Sequence, residues 1–208
     1  MTDPAAPLVL NLDGYTPLPP GKIAAVVTML EMTGPPPPLP ERASEGLTLE
    51  RQHAPAPGWY RALFRRVGED WLWFSRLAMV DAGLAAILDD PEVDVLVLRK
   101  DGVEVGYIEL DCRVPGEIEL AFVGLVPDMV GSGAGRFMMN RALALAWARQ
   151  PRRVHVHTCT HDKQGALNFY LKAGFRPYAS AVEIVDDPRL TGLLARAAAP
   201  HVPVIEAD

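Results

Sequence analysis

Gly131, Gly133 and Gly135 occupy alternate positions of the stretch VGSGAGR, residues 130–136, between a strand-like run and a helix-like run. Glycine reaches positive φ without steric penalty and lets backbone approach a ligand closely. Successive N–H groups of such a turn can point at one anion, just where the following helix presents its positive end. That arrangement suits a pyrophosphate. The familiar phosphate loops do not describe it. A P-loop needs Lys and then Ser or Thr after its last glycine, whereas Arg136 and Phe137 follow Gly135. A dinucleotide fingerprint needs G-x-G-x-x-G and an acid about twenty residues on. Here the spacing is G-x-G-x-G, and QPRR stands near that distance.

Titratable side chains crowd the neighbouring runs. In GEIELAFVGLV, residues 116–126, strand alternation puts Glu119 with Glu117, Ala121 and Val123 on one face, opposite Ile118, Leu120 and Phe122. Glu109 and Asp111 sit on the run before it. The stretch HVHTCTH, residues 155–161, aligns His155, His157, Cys159 and His161 on one strand face. Successive same-face residues rise by about 6.6 Å, so two of them could share a zinc ion but four in line cannot converge on one. No metal is expected. His157, Cys159 and His161 either line an acceptor pocket or simply pack and meet solvent.

The elements that would carry these residues alternate between helix-like and strand-like patterns. Trp59, Leu63 and Val67, then Trp71, Phe74 and Leu77, recur at three and four residues and predict an apolar helical face from Pro57 onward. Asp81 is placed to N-cap a short helix ending near Leu88. VDVLVLRKDGVEVGYIEL reads as two strands joined at Asp101-Gly102, a tight-hairpin signal. A third strand ends at Pro127, and a helix is expected over residues 137–149. RRVHVHTC follows as a strand, then a helix over residues 162–173 stopped by Gly174, a strand in FRPYASAVEIV, and a terminal helix over residues 188–199. Pro35 to Pro38 form a stiff connector that sets off what precedes it. GKIAAVVTMLEM, within that first part, fits strand or helix equally.

Composition narrows the class. With 208 residues, 49% of them hydrophobic, the chain can bury one sizeable core. A net charge of −6 supplies no basic field for nucleic acid or an acidic membrane, and it favours a cationic partner. Cys112 and Cys159 are too few for a disulfide framework and read as reduced thiols. MTDPAAPLVL lacks a basic lead and a long apolar segment, so no signal peptide is expected and a cytoplasmic location is.

Two motifs in order carry a family resemblance. LVPDMVGSGAGRFMM resembles the central motif of the GNAT acetyltransferases, a strand with h-x-P leading into Q/R-x-x-G-x-G/A and a helix, with Leu125, Pro127 and residues 130–135 in those places. GALNFYLKAGF is similar to the family's A-x-x-x-Y then G-F motif, through Ala166, Tyr170, Gly174 and Phe175. The resemblance spans roughly residues 57–186. It implies an α/β (α+β) GNAT fold whose mixed, mostly antiparallel sheet, flanked by helices, splays at an acetyl-CoA cleft. With the proline connector, it divides the chain into an extension (1–40), a linker (41–56), the acetyltransferase domain (57–186) and a C-terminal helix and tail (187–208).

The resemblance also assigns roles. Acetyl-CoA would pair through its pantetheine arm with Val123, Gly124 and Leu125, and rest its pyrophosphate on Gly131, Ser132, Gly133, Ala134, Gly135 and Arg136. Val130 stands where the motif opens with Gln or Arg, which removes a side-chain contact but no backbone donor. Lys163 replaces a common Asn and either meets a phosphate or is solvated. Glu119 falls at the spacing of the general base, with Glu109 and Asp111 as competitors for that role or for binding a cationic acceptor. Tyr170 would protonate the departing thiolate, and the N–H near Val123 would stabilise the oxyanion. Trp73, with Trp71 and Arg76, is either core or an aromatic wall for an amine. The expected reaction is direct transfer of acetyl to a primary amine, a small cationic one by the acidic balance, with a protein N-terminus or lysine as alternatives. A non-catalytic acyl-CoA-binding module is the rival. The extension and the terminal helix could each supply a homodimer surface.

Overall fold

The computed structural model describes residues 9–41 and 45–206. The first residues of the expected extension, the segment 42–44 of the expected linker and the last two residues lie outside them. Among the described residues, seven strands form one sheet in the order β2-β3-β4-β5-β6-β1-β7. They are β1 (Lys22–Met32), β2 (Leu47–Gln52), β3 (Val93–Lys100), β4 (Val103–Asp111), β5 (Glu117–Leu125), β6 (Arg153–Cys159) and β7 (Arg176–Asp186). Every pairing is antiparallel except β5 with β6.

Helices cover both faces. α1 (Pro57–Gly68), α2 (Ser75–Ala78) and α3 (Asp81–Leu88) precede β3, while α4 (Ala134–Ala148) and α5 (Ala166–Ala173) flank β6. Tyr60, Leu63, Phe64 and Val67 turn one stripe of α1 onto Val95, Val97 and Tyr107. On the opposite face, Phe137, Met138 and Ala142 of α4 pack on Leu96, Leu98, Ile108 and Leu110. Alternate residues of β3 and β4 thus enter two different cores.

Several expectations hold and several are corrected. Asp101 and Gly102 both take positive φ, 50° and 81°, which is what a two-residue hairpin turn demands. The helical pattern after Pro57 does not continue unbroken. Leu72 adopts φ 57°, and a Cβ on Gly68 would sit 2.4 Å from the Trp73 ring, so the chain turns back and seats the indole against the helix end. Asp81 is the first helical residue rather than the cap; Val80 holds the cap position and Asp81 pairs with Arg61. The helix expected from residue 162 starts at Ala166, because Asp162 folds back to accept from the Thr158 hydroxyl (2.6 Å) and the Cys159 N–H (2.9 Å).

The two ends of the chain depart furthest from expectation. Lys22–Met32 is a strand inserted between β6 and β7, so this part of the expected extension completes the sheet. The proline connector then crosses α4, held by Asn140, which exchanges hydrogen bonds with the backbone of Leu39. Residues 188–199 form turns, with no terminal helix. The buried Arg189 organises these turns: its guanidinium pairs with Asp187 at 2.7 Å and donates to the carbonyls of Ala198, Ala199, Val202 and Pro203, which folds the tail back around it. Leu194, Ala198 and Ala199 then pack on Ile23 and Leu72. No helix among the described residues is long and apolar enough to cross a membrane.

Candidate active site

Parallel pairing of β5 with β6 runs only from Glu117↔Arg153 to Glu119↔His155. Beyond that point the two strands part, and a cleft of about 900 Å³ opens between them. One end is lined by Gly131, Ser132, Gly133, Gly135, Phe169 and Tyr170, the other by Val27, Trp71, Trp73, Phe74, His157 and Glu183. The sheet is therefore the floor of the site and its interruption is the entrance.

A β-bulge sets what β5 presents there. Leu110 pairs with Leu120 but Glu109 pairs with Phe122, which leaves Ala121 as the extra residue. The bulge reverses the alternation expected from sequence. Val123 and Leu125 pack with Ile118 and Leu120 on the α4 side, while Phe122 joins Phe64 and Tyr107 on the α1 side. Val123 thus does not share the face of Glu119. Gly124 is fixed by packing, since a Cβ there would lie 2.2 Å from Val67 Cγ1 and 3.0 Å from the Trp73 ring.

The glycine turn fits an anion. Gly131 and Gly133 take φ 87° and 96°, Gly133 serving as the left-handed entry to α4. Internal bonds consume alternate donors: Ser132 N–H to Met129 O, Ala134 N–H to Ser132 Oγ, Arg136 N–H to Gly133 O. The N–H groups of Gly131, Gly133 and Gly135 have no acceptor among the described residues. Three free donors on the three glycines make a cradle that a pyrophosphate can fill. Val130 lines the cleft too, while the Arg136 guanidinium is drawn away to the Pro40 carbonyl at 3.0 Å. Lys163 is exposed and lines the cleft, with its ammonium 5.7 Å from the Trp71 ring centroid.

Proton-handling groups stand at the open end of the cleft and beneath it. His157 Nδ1 is 3.4 Å from Glu119 Oε1. That contact raises the pKa of His157 and lowers that of Glu119. His157 lines the cleft and Glu119 does not, so the imidazole is the member of the pair that a ligand meets. Tyr170 also lines the cleft, edge-on to Phe169 and Phe175, and burial pushes its phenol well above the usual range. It stays protonated at any ordinary pH.

Two of the acids expected near the acceptor are already occupied. Glu109 is wholly buried, accepting from the Tyr60 hydroxyl and paired with Arg76. Asp111 accepts from Arg113 Nε at 2.9 Å and 3.1 Å, and that guanidinium lowers its pKa. Neither lines the cleft. Trp73 does, with its Nε1–H 3.4 Å from Asp162. Sequence reasoning missed Glu183, which faces the cleft from β7; recognising it requires knowing that β7 lies next to β1, itself read as an extension. Among the described residues no group of three His, Cys, Asp or Glu side chains could hold a metal ion.

Comparisons with known proteins agree with this architecture. Residues 54–175 match the sequence model of the acetyltransferase (GNAT) family. An uncharacterized N-acetyltransferase of Mycobacterium tuberculosis is 35% identical over 104 residues, which cover 48% of this chain and 66% of that protein. Among solved structures, a GCN5-related N-acetyltransferase from Sphaerobacter thermophilus superposes with TM-score 0.60 at 18% identity, over 78% of this chain and 52% of that one. One from Kribbella flavida gives TM-score 0.52 at 19% identity, over 83% and 63%. The chain thus spans between about half and two thirds of these relatives.

Proposed function

Since the chain belongs to the GNAT acetyltransferase family, we propose that it moves an acetyl group from acetyl-CoA directly to a primary amine. The observation that carries this reading is the continuity of the cleft, which runs from the free N–H groups of the glycine turn, past Tyr170, to the His157–Glu119 pair. When bound, acetyl-CoA supplies an electrophilic acyl carbon and a thiolate leaving group.

Gly131, Gly133 and Gly135 bind the pyrophosphate, and the backbone of Val123, Gly124 and Leu125, released by the splay, aligns the pantetheine arm. The N–H near Val123 donates to the acyl oxygen. His157 takes the proton that the amine gives up as its nitrogen bonds to the acyl carbon. Glu119, behind the imidazole, orients it and stabilises its cationic form, so Glu119 acts as a positioning residue. Tyr170 supplies a proton to sulfur as the C–S bond breaks.

Calorimetric titration with acetyl-CoA, with NADH and ATP as controls, tests the cofactor half of the proposal. Micromolar binding of acetyl-CoA alone, about −8 kcal/mol, is expected. Absence of binding would overturn it.

A further inference from the structure

The end of the cleft opposite the glycine turn is apolar. Ile23, Val27 and Val185 line it from β1 and β7, and Trp71, Trp73 and Phe74 line it from the segment after α1. Ala25 stands directly across from Glu183, and Ile23 from Val185, so these side chains share the sheet face that His157 and Cys159 continue on β6. Leu72, Leu194 and Ala198 back this wall through their packing on Ile23.

The oxygens of the carboxylates around this end are nearly all engaged. Arg76 and Tyr60 hold Glu109, Arg113 holds Asp111, and Arg153 holds Glu117 at 2.8 Å. Glu119 faces His157, and Asp162 accepts from Thr158, Cys159 and Trp73. Glu183 lines the cleft without a hydrogen-bond or ion-pair partner among the described residues. Asp162 keeps its charge, but its oxygens are taken by those three neutral donors, and the Lys163 ammonium lies 5.7 Å from the Trp71 ring; Glu183 is thus the one cleft-lining carboxylate whose oxygens are free among the described residues.

Resting on the acetyl-transfer reading above, we propose that the acceptor is a primary monoamine on an apolar body, aryl or alkyl, received by Glu183 at its ammonium and by the tryptophan wall at its body. One carboxylate with free oxygens matches one ammonium. Each further cationic group would meet Ile23, Val27 or Phe74 with no carboxylate oxygen free to receive it, beside the Lys163 ammonium, and that desolvation is unfavourable. Polyamines and other polycations are accordingly poor acceptors. Indole faces add cation–π attraction near the ammonium and dispersion along the body.

Calorimetry on the full chain saturated with CoA separates this proposal from the reading it rests on. 2-Phenylethylamine and hexylamine are expected to bind at least tenfold more tightly than spermidine, and Glu183→Gln to weaken the two monoamines about tenfold while acetyl-CoA affinity stays unchanged. Tighter binding of spermidine, no binding of any amine, or indifference of the monoamines to Glu183→Gln would overturn the proposal and leave cofactor binding intact. Monoamine binding without release of CoA thiol from acetyl-CoA would uphold the pocket assignment and sink the transferase reading. Loss of acetyl-CoA affinity in the variant would place Glu183 in the cofactor site and contradict its assignment to the acceptor.

Discussion

The imidazole Nδ1 of His157 lies 3.4 Å from the Glu119 carboxylate, across the point where β5 and β6 separate. The last paired register is Glu119↔His155, so Glu119 sits on the final rung of the parallel ladder and His157 two residues beyond it, at the edge of the opening. The pair thus bridges the ordered part of the sheet and the cleft.

The raised pKa of His157 gives this pair a pH signature. Proton acceptance requires neutral imidazole, so kcat/KM should rise with pH through the pKa of His157, above the usual 6.5. Glu119→Gln removes the anion that stabilises the cation, and the rising limb should move to lower pH. His157→Ala should cost about a hundredfold or more in kcat. A pH–rate profile on both variants checks this; a rising limb left in place by Glu119→Gln would contradict the coupling.

Tyr170→Phe keeps the ring against Phe169 and Phe175 and removes only the hydroxyl. The expected result is a fall in kcat of about tenfold to a hundredfold, with acetyl-CoA affinity and Tm nearly unchanged. Steady-state kinetics beside a binding titration distinguishes this from a packing defect.

Gly124→Ala would force a methyl carbon against Val67 and the Trp73 indole. Overpacking of this kind costs about 1–3 kcal/mol, and Tm should fall accordingly. Because the same strand segment borders the cofactor half of the cleft, acetyl-CoA affinity should fall with it. Thermal unfolding and calorimetry on the purified variant measure both.

Arg189→Ala would leave Asp187, itself almost fully buried, without its cation and strip four tail carbonyls of their donor. A loss of about 3–5 kcal/mol is expected from breaking such a pair. With the tail unpinned, Leu194 and Ala198 no longer back Ile23 and Leu72, so KM for the amine should rise more than KM for acetyl-CoA. Equal effects on both would show that the tail has no special tie to the acceptor end.

Local chemistry was legible in the sequence where a residue's own backbone or immediate neighbours decide the outcome. Asp101-Gly102 needs only its two positive φ values to make a hairpin, and Gly131 and Gly133 need only theirs to make the turn into α4. Features that depend on partners far along the chain were not legible. The bulge at Ala121 is a mismatch between β4 and β5, invisible in either strand alone. The neutralisation of Glu109 rests on Tyr60 of α1 and on Arg76, brought to it by the turn at Leu72. β1 reads as an isolated apolar segment until β6 and β7 are seen on either side of it, and Glu183 gains meaning only then. The tail resembles a helix because its carbonyls give no sign in sequence that a guanidinium will claim them.

Amine acetylation is tested by turnover itself: purified protein, acetyl-CoA and 2-phenylethylamine, with free CoA thiol followed in time and the amine analysed by mass spectrometry. One thiol released per acetylated amine is expected, with no release when the amine is omitted. Binding of acetyl-CoA with no thiol release from any primary amine would contradict it and leave a non-catalytic acyl-CoA-binding module in its place.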